Sequence, residues 1–233
     1  QRCTQIAAFN LALAAWRLAG RHFELPPMRI ACSGIGPQAT KDQWLKMASP
    51  ELAKERPDVR QALERGLTHM HELFSDAPEL GSLIDPSELP AEGFAADFET
   101  IKPLLDRILA AESNDEEAHE RAVAARGMAA AAEILAGDYI LIITNVPYLG
   151  RKSHADVLKD FCDTAFQDAR KDLATVFVAR MLRWVGDGRN GTNAGTIAAV
   201  TPQNWLFLTS YKKLRESLLK HRSWEVVARL GSG

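Results

Sequence analysis

The stretch "LIITNVPYLG", residues 141–150, decides how this chain is read. An apolar run that opens in "DYILIITN" (138–145) stops at Asn145, passes through Val146-Pro147 and presents Tyr148 ahead of Gly150. The continuous apolar run predicts a central strand buried on both faces. Proline cannot continue a ladder, so the strand must end there and tip the next side chains into the space beyond it. In an open α/β sheet that space is where ligands sit.

Downstream of this run, strand and helix alternate. "HADVLKDFCDTAFQDA" (154–169) reads as helical or mixed, and "KDLATVFVARMLRWV" (171–185) as a strongly apolar helix closed by the turn-rich "GDGRNGTNAG". "TIAAVTP" (196–202) predicts a second strand stopped by Pro202, residues 204–221 an amphipathic helix, and "WEVVARL" (224–230) a third strand. Such repetition implies crossover connections and a mainly parallel sheet. Upstream, Ile6, Phe9, Leu13 and Trp16 recur at helical spacing before Gly20, which predicts a helix packed on a sheet. After Pro26-Pro27, "MRIACSG" (28–34) predicts a short strand entering a turn.

Residues 44–136 differ in character, rich in Ala, Glu, Leu and Arg and without the Val/Ile/Thr runs that strands favour. They read as a helical insertion. Ser49-Pro50-Glu51 has the form of a helix start, and Ser113 with Glu116 that of a capping box before a helix ended by Gly137. "DPSELPAEGFAAD" (85–97) reads as an exposed loop.

Composition bounds the function. With 233 residues, 46% hydrophobic and 25% charged, the chain has the make-up of a soluble globular protein. Its net charge of -2 carries no basic excess that would advertise a polyanion or membrane surface. Cys3, Cys32 and Cys162 fit a reducing cytoplasm, and neither they nor the six histidines show a metal-ligand spacing. His69 and His71 read as surface residues. No apolar run approaches the roughly 20 residues that span a bilayer, and nothing suggests a nucleophilic triad.

The strand end at 145–148 suits one chemistry. The exocyclic amine of a nucleobase is a poor nucleophile, because its lone pair is delocalised into the ring. Two acceptors aimed at its hydrogens favour a tetrahedral, more nucleophilic nitrogen. Asn145 offers a side-chain carbonyl, and Val146 a backbone carbonyl beyond the ladder. Pro147 fixes the turn, and Tyr148 offers a ring on which an extruded base can stack, worth roughly 1–3 kcal/mol per base.

"TNVPYLG" resembles the Asn-Pro-Pro-Tyr motif of S-adenosylmethionine-dependent adenine-N6 DNA methyltransferases. The likeness extends through "DLATVFVARMLRWV", "GTIAAVTPQNWLFLTSYKKLRESLL" and "RCTQIAAFNLALAAWR", about residues 2–36 and 138–233. It is nearest to the large bacterial enzymes of restriction–modification and BREX-type phage defence. Val146 departs from the commonest pattern by replacing the first proline, but its carbonyl survives. Glutamine and RNA-base methyltransferases share the four-residue motif and remain alternatives, as does a non-catalytic interaction fragment.

The resemblance implies an α/β fold, a Rossmann-like class I methyltransferase core. That core would be partial, with the first two strands and the last missing. It divides the chain into core residues 1–43, a helical insertion 44–136 and core residues 137–233. It implies S-adenosylmethionine as cofactor with no metal, double-stranded DNA with a flipped adenine as partner, a cytoplasmic setting, and association with other defence subunits or with itself. Asn145, Val146, Pro147 and Tyr148 would carry the catalysis. Ala31, Cys32 and Ser33 are candidates for the cofactor's adenine, although "CSGIG" (32–36) also reads as a glycine loop or a plain turn. Arg151 and Lys152 are candidates for a phosphate grip, or a solvated basic pair. Gln203, Asn204 and Trp205 are candidates for a wall of the base pocket. Neither a glycine loop after a first strand nor an acid ending a second strand is found. The chain therefore reads as an internal slice of a longer enzyme, expected to be inactive and without micromolar cofactor affinity when isolated.

Overall fold

The computed structural model of the chain describes residues 2–86, 94–110, 116–186 and 194–231, the side chains of 94–100 excepted. It divides into two units, residues 1–137 and 138–233.

The first unit is helical. It runs through α1 (Arg2–Ala19), α2 (Lys41–Leu52), α3 (Pro57–Leu73), the short α4 (Ala77–Leu80), α5 (Phe94–Ala110) and α6 (Glu116–Leu135). Helices α2, α3, α5 and α6 pack on one another, burying Trp44, Leu67, Met70, Phe74, Leu104 and Met128. Thr40 starts α2 with a capping box closed by Gln43. Pro50, which reads as a helix start, instead lies inside the last turn of α2. A proline there leaves the carbonyl four residues back without its donor, and the Ser49 hydroxyl takes up the Lys46 carbonyl at 2.8 Å. The next helix starts later, with Pro57 in its first turn. Phe94–Asp97, expected in a loop, belongs to α5. The Ser113 cap and residues 87–93 of that loop lie outside the described residues.

Three further expectations for this unit are corrected. Residues 28–32 form no strand; a strand exists only through a partner, and none lies beside this segment among the described residues. Helix α1 forms but packs on no sheet of its unit, leaving Ile6 and Phe9 largely exposed. His69 and His71 are half-buried rather than superficial, with the His71 ring set edge-on to Trp44.

The second unit holds the sheet. Strands β1 (Leu141–Asn145) and β2 (Thr196–Val200) pair in parallel, with Leu141 opposite Thr196 and Asn145 opposite Val200. Helices α7 (Asp156–Ala165) and α8 (Leu173–Trp184) connect them, and α9 (Lys212–His221) follows. This parallel strand–helix–strand connection is a piece of a Rossmann-like α/β core, and the chain as a whole is largely helical. Asp172 caps α8, its carboxylate accepting from the Ala174 N–H at 2.9 Å. Val178 and Met181 of α8 pack beneath Ile142 and Ile197 of the strands. Gly195 leads into β2 at a point where a Cβ would come within 2.6 Å of the Tyr139 carbonyl.

β1 is covered on one face only: Leu141 and Ile143 point away from α8 and are exposed. Burial of both faces is therefore not realised within the unit. The amphipathic helix expected over 204–221 starts only at Lys212. The Arg215 guanidinium takes the Trp205 and Leu208 carbonyls at 2.7 Å, which holds two short 3₁₀ turns ahead of it. Residues 224–230 run without regular pairing, and Trp224 rests near Trp205 with ring centroids 6.2 Å apart.

Candidate active site at the end of strand β1

Because β1 and β2 are parallel and in register, Asn145 and Val200 end side by side. The segments that follow them, Val146–Tyr148 and Pro202–Trp205, therefore leave the same carboxyl edge of the sheet, where open α/β sheets place ligands. The structure thus brings the 145–148 and 203–205 groups to one edge of the sheet. Ala31, Cys32 and Ser33 belong to the other unit.

The residues of the motif divide their tasks by burial. Val146 is buried, packed against Ala174, Val178 and Met181 of α8. Its side chain is the anchor that the more usual proline would not supply in the same form. Its carbonyl lies beyond the ladder, which ends at the Asn145–Val200 pair. Asn145 and Pro147 are exposed. Tyr148 is half-exposed, and its hydroxyl donates to Asn145 Oδ1 at 3.0 Å. That bond orients the Asn145 amide, and it is exposed to solvent.

The chain beyond Tyr148 is held to the start of α8. The Leu149 carbonyl accepts from the Leu173 N–H and from His154 Nε2, each at 2.9 Å. Gly150 bridges Asp172, and the Arg151 N–H reaches the Lys171 carbonyl at 3.0 Å. Arg151 is not a free cation, since its Nη2 lies 2.5 Å from Asp163 Oδ2, with Arg170 on the other carboxylate oxygen at 3.2 Å. Burial alone would raise the Asp163 carboxyl, but hydrogen bonds and charge from Arg151 and Arg170 outweigh it and hold it below its usual value. Lys152 is exposed. Cys162 beside this pair is buried, and desolvation pushes its thiol up to about 11, against the opposing charge of Arg151. Such a thiol stays protonated and inert at neutral pH.

Gln203 and Asn204 are exposed after β2, while Trp205 is buried and donates to Thr201 Oγ1 at 3.0 Å. Two of the three candidate wall residues therefore face solvent at the sheet's end, and the third anchors them. The partners Asp163, His154 and Lys171 were not signalled by any local pattern; each reaches its contact through the fold.

A family model for Eco57I restriction-modification methylases matches residues 1–232. The chain belongs to this family. It is also similar to the adenine-specific methyltransferase BrxX of Escherichia coli O9:H4 (strain HS), at 35% identity over 162 residues. That stretch is 69% of this chain and 12% of the relative. The adenine-specific methyltransferase PglX of Lacticaseibacillus casei (strain Zhang) is 27% identical over 165 residues, 68% of this chain and 12% of that relative. The matched stretch is thus a small part of each of these longer relatives.

For an Eco57I-family chain, a sulfonium cofactor asks for close backbone approach, a carboxylate for ribose hydroxyls and a cover for adenine. The cavity beside Ala31 and Cys32 measures about 120 Å³, below the roughly 300–1,000 Å³ of small-molecule pockets. Its lining, from Thr4 and Ile30 to Val123 and Met128, contains no carboxylate. The Ser33 hydroxyl is shared with Ser82 at 2.8 Å. On its own this cavity does not enclose such a cofactor. Among the described residues no group of three His, Cys, Asp or Glu side chains is placed to hold a metal ion, and no helix is long and apolar enough to cross a membrane.

Proposed function

We propose that the protein methylates the N6 amine of an adenine extruded from double-stranded DNA, with S-adenosylmethionine as donor, as self-marking in bacterial restriction–modification or phage defence. Asn145 Oδ1 and the Val146 carbonyl accept hydrogen bonds from the two amine hydrogens. This favours a pyramidal nitrogen whose lone pair is free to attack. Tyr148 stacks on the adenine, and its hydroxyl gives up Asn145 Oδ1 as the amine arrives. The donor would supply the methyl group and depart as a neutral thioether, and the nitrogen's surplus proton passes to water at this exposed edge. Gln203 and Asn204 flank the base from the neighbouring strand end.

The observation that carries this reading is the exposed Asn145 Oδ1 at a parallel sheet's carboxyl edge, 3.0 Å from the hydroxyl of a half-exposed Tyr148. The family supports it, as does the fact that both relatives are adenine-specific methyltransferases. The test is product identity. The intact protein carrying this chain is incubated with unmethylated genomic DNA and labelled donor, and the DNA is digested to nucleosides. Label in N6-methyl-2′-deoxyadenosine supports the reading. Label confined to protein glutamine or to RNA contradicts it.

A further inference from the structure

An open cleft of about 650 Å³ lies directly beyond the motif, lined by Gly150, Arg151, Lys152, Ser153, Lys159 and Lys171. Four of its six lining residues are cationic, in a chain whose net charge is -2. Positive charge is thus locally in excess at this opening. Neither Lys152 nor Lys171 has an ion-pair partner among the described residues.

Two carboxylates compete for the other cations, and neither closes the site. Asp163 holds Arg151 through Nη2, while Arg151 Nη1 is buried with no hydrogen-bond partner. An unsatisfied buried donor on a cation is costly unless something arrives to accept from it. Asp156 pairs with Lys159 at 2.9 Å but is 93% exposed, and a surface pair of this kind is weak. The Ser153 hydroxyl adds a neutral donor. Lysine ammonium groups, an arginine fork and a hydroxyl around one opening are the donor set that phosphate oxygens require.

The cleft is also fixed relative to the motif. Gly150 follows Tyr148 by two residues, at most about 7 Å of chain. The Gly150–Asp172 bridge and the Arg151–Lys171 backbone bond prevent that loop from swinging away. A base on the Tyr148 ring and phosphates in the cleft would thus belong to the same or adjacent nucleotides. A single inorganic phosphate would use only a small part of the opening.

We propose that this cleft holds the phosphodiester backbone of the strand whose base stacks on Tyr148, an assignment that rests on the DNA methyltransferase reading above. Its cations position the strand without reading sequence.

Counting phosphates tests it. Binding of the intact protein to a fluorescein-labelled duplex is followed by anisotropy between 50 and 200 mM KCl, for wild type, K152Q/K171Q and a K213Q control on α9. Each phosphate contact contributes about 0.9 to the slope of log affinity against log salt, so the double variant should lose about 1.8. Over this fourfold salt range its affinity then falls roughly 12-fold less than wild type, with K213Q unchanged. The charge reversal K152E/K171E, with melting curves matching wild type, should weaken binding further. A slope unchanged in both double variants overturns the proposal, as does saturation of wild type by micromolar inorganic phosphate. Methyl transfer measured on the same preparations separates the two claims. An unchanged slope with active N6-methylation sinks the cleft alone, whereas a reduced slope without adenine methylation sinks the enzymatic reading alone.

Discussion

Val146→Ala separates the anchor of the candidate site from its chemistry. The substitution removes two carbons from a side chain that is 3% exposed among Ala174, Val178 and Met181. At about 0.8 kcal/mol per buried carbon the transfer contribution is about 1.6 kcal/mol. An unrelaxed void of roughly 30 Å³ adds about 0.7 kcal/mol at some 24 cal/mol per Å³. The sum, about 2.3 kcal/mol, corresponds to a roughly 40-fold larger opening constant for the strand end. The backbone carbonyl proposed to face the amine is untouched. Amide hydrogen exchange is the suitable assay, because it reads local opening residue by residue. The amides of Ile142 to Asn145 should exchange faster by about that factor where their opening is local, and turnover should fall by less than about tenfold. Unchanged exchange would refute the anchoring role. A loss of turnover as severe as that of an Asn145 variant would show that the side chain, not the carbonyl, does the chemical task.

Three further outcomes follow from contacts of the second unit. Native Cys162, with its thiol pushed up to about 11 by burial, should resist a thiol reagent at pH 8 that labels exposed Cys3; equal labelling rates would contradict the buried placement. Asp163, held below its usual range by Arg151 and Arg170, contributes stability that is complete above the ordinary carboxylate pKa of about 3.9 and lost as pH falls through its lowered folded value. The stability gap between wild type and Asp163→Asn should therefore be wide at pH 7 and shrink progressively as pH is taken below about 3.9 in urea titrations, and a pH-independent gap would refute the pairing. Gly195→Ala places a Cβ 2.6 Å from the Tyr139 carbonyl and 2.7 Å from Val185 Cβ, so overpacking should cost roughly 1–3 kcal/mol in the same assay; a neutral variant would mean that the entry to β2 is looser than described.

What was legible in the sequence was local. The Asn145 stop before Pro147 and the Pro202 stop mark both strand ends, because proline excludes itself from a ladder by covalent structure alone. The apolar helix over 171–185 was legible as well, its apolar character lying within one segment. Residues 28–32 and 224–230 have strand-like composition, yet pairing depends on a neighbour that composition does not name. Ser49-Pro50-Glu51 has the residues of a helix start, but the same serine can spend its hydroxyl on a carbonyl that proline strands inside a helix. The delayed start of α9 is set by Arg215 reaching back to Trp205 and Leu208, a contact with no periodic signature. At the site, Asn145 to Tyr148 stood out as one contiguous motif. Asp163, which occupies Arg151, and Lys159 and Lys171, which join Lys152, are assembled by the turn into α8 and leave no mark in local spacing.

The central claim is that Asn145 Oδ1 accepts from the amine that is methylated. Single-turnover methyl transfer to duplex DNA by the intact protein, wild type against Asn145→Ala at saturating DNA, tests it most directly. Losing one preorganised contact to the reacting group should slow the chemical step by roughly 100-fold or more, with the salt dependence of DNA binding unchanged. A variant that forms N6-methyladenine within a few-fold of the wild-type rate would contradict the account.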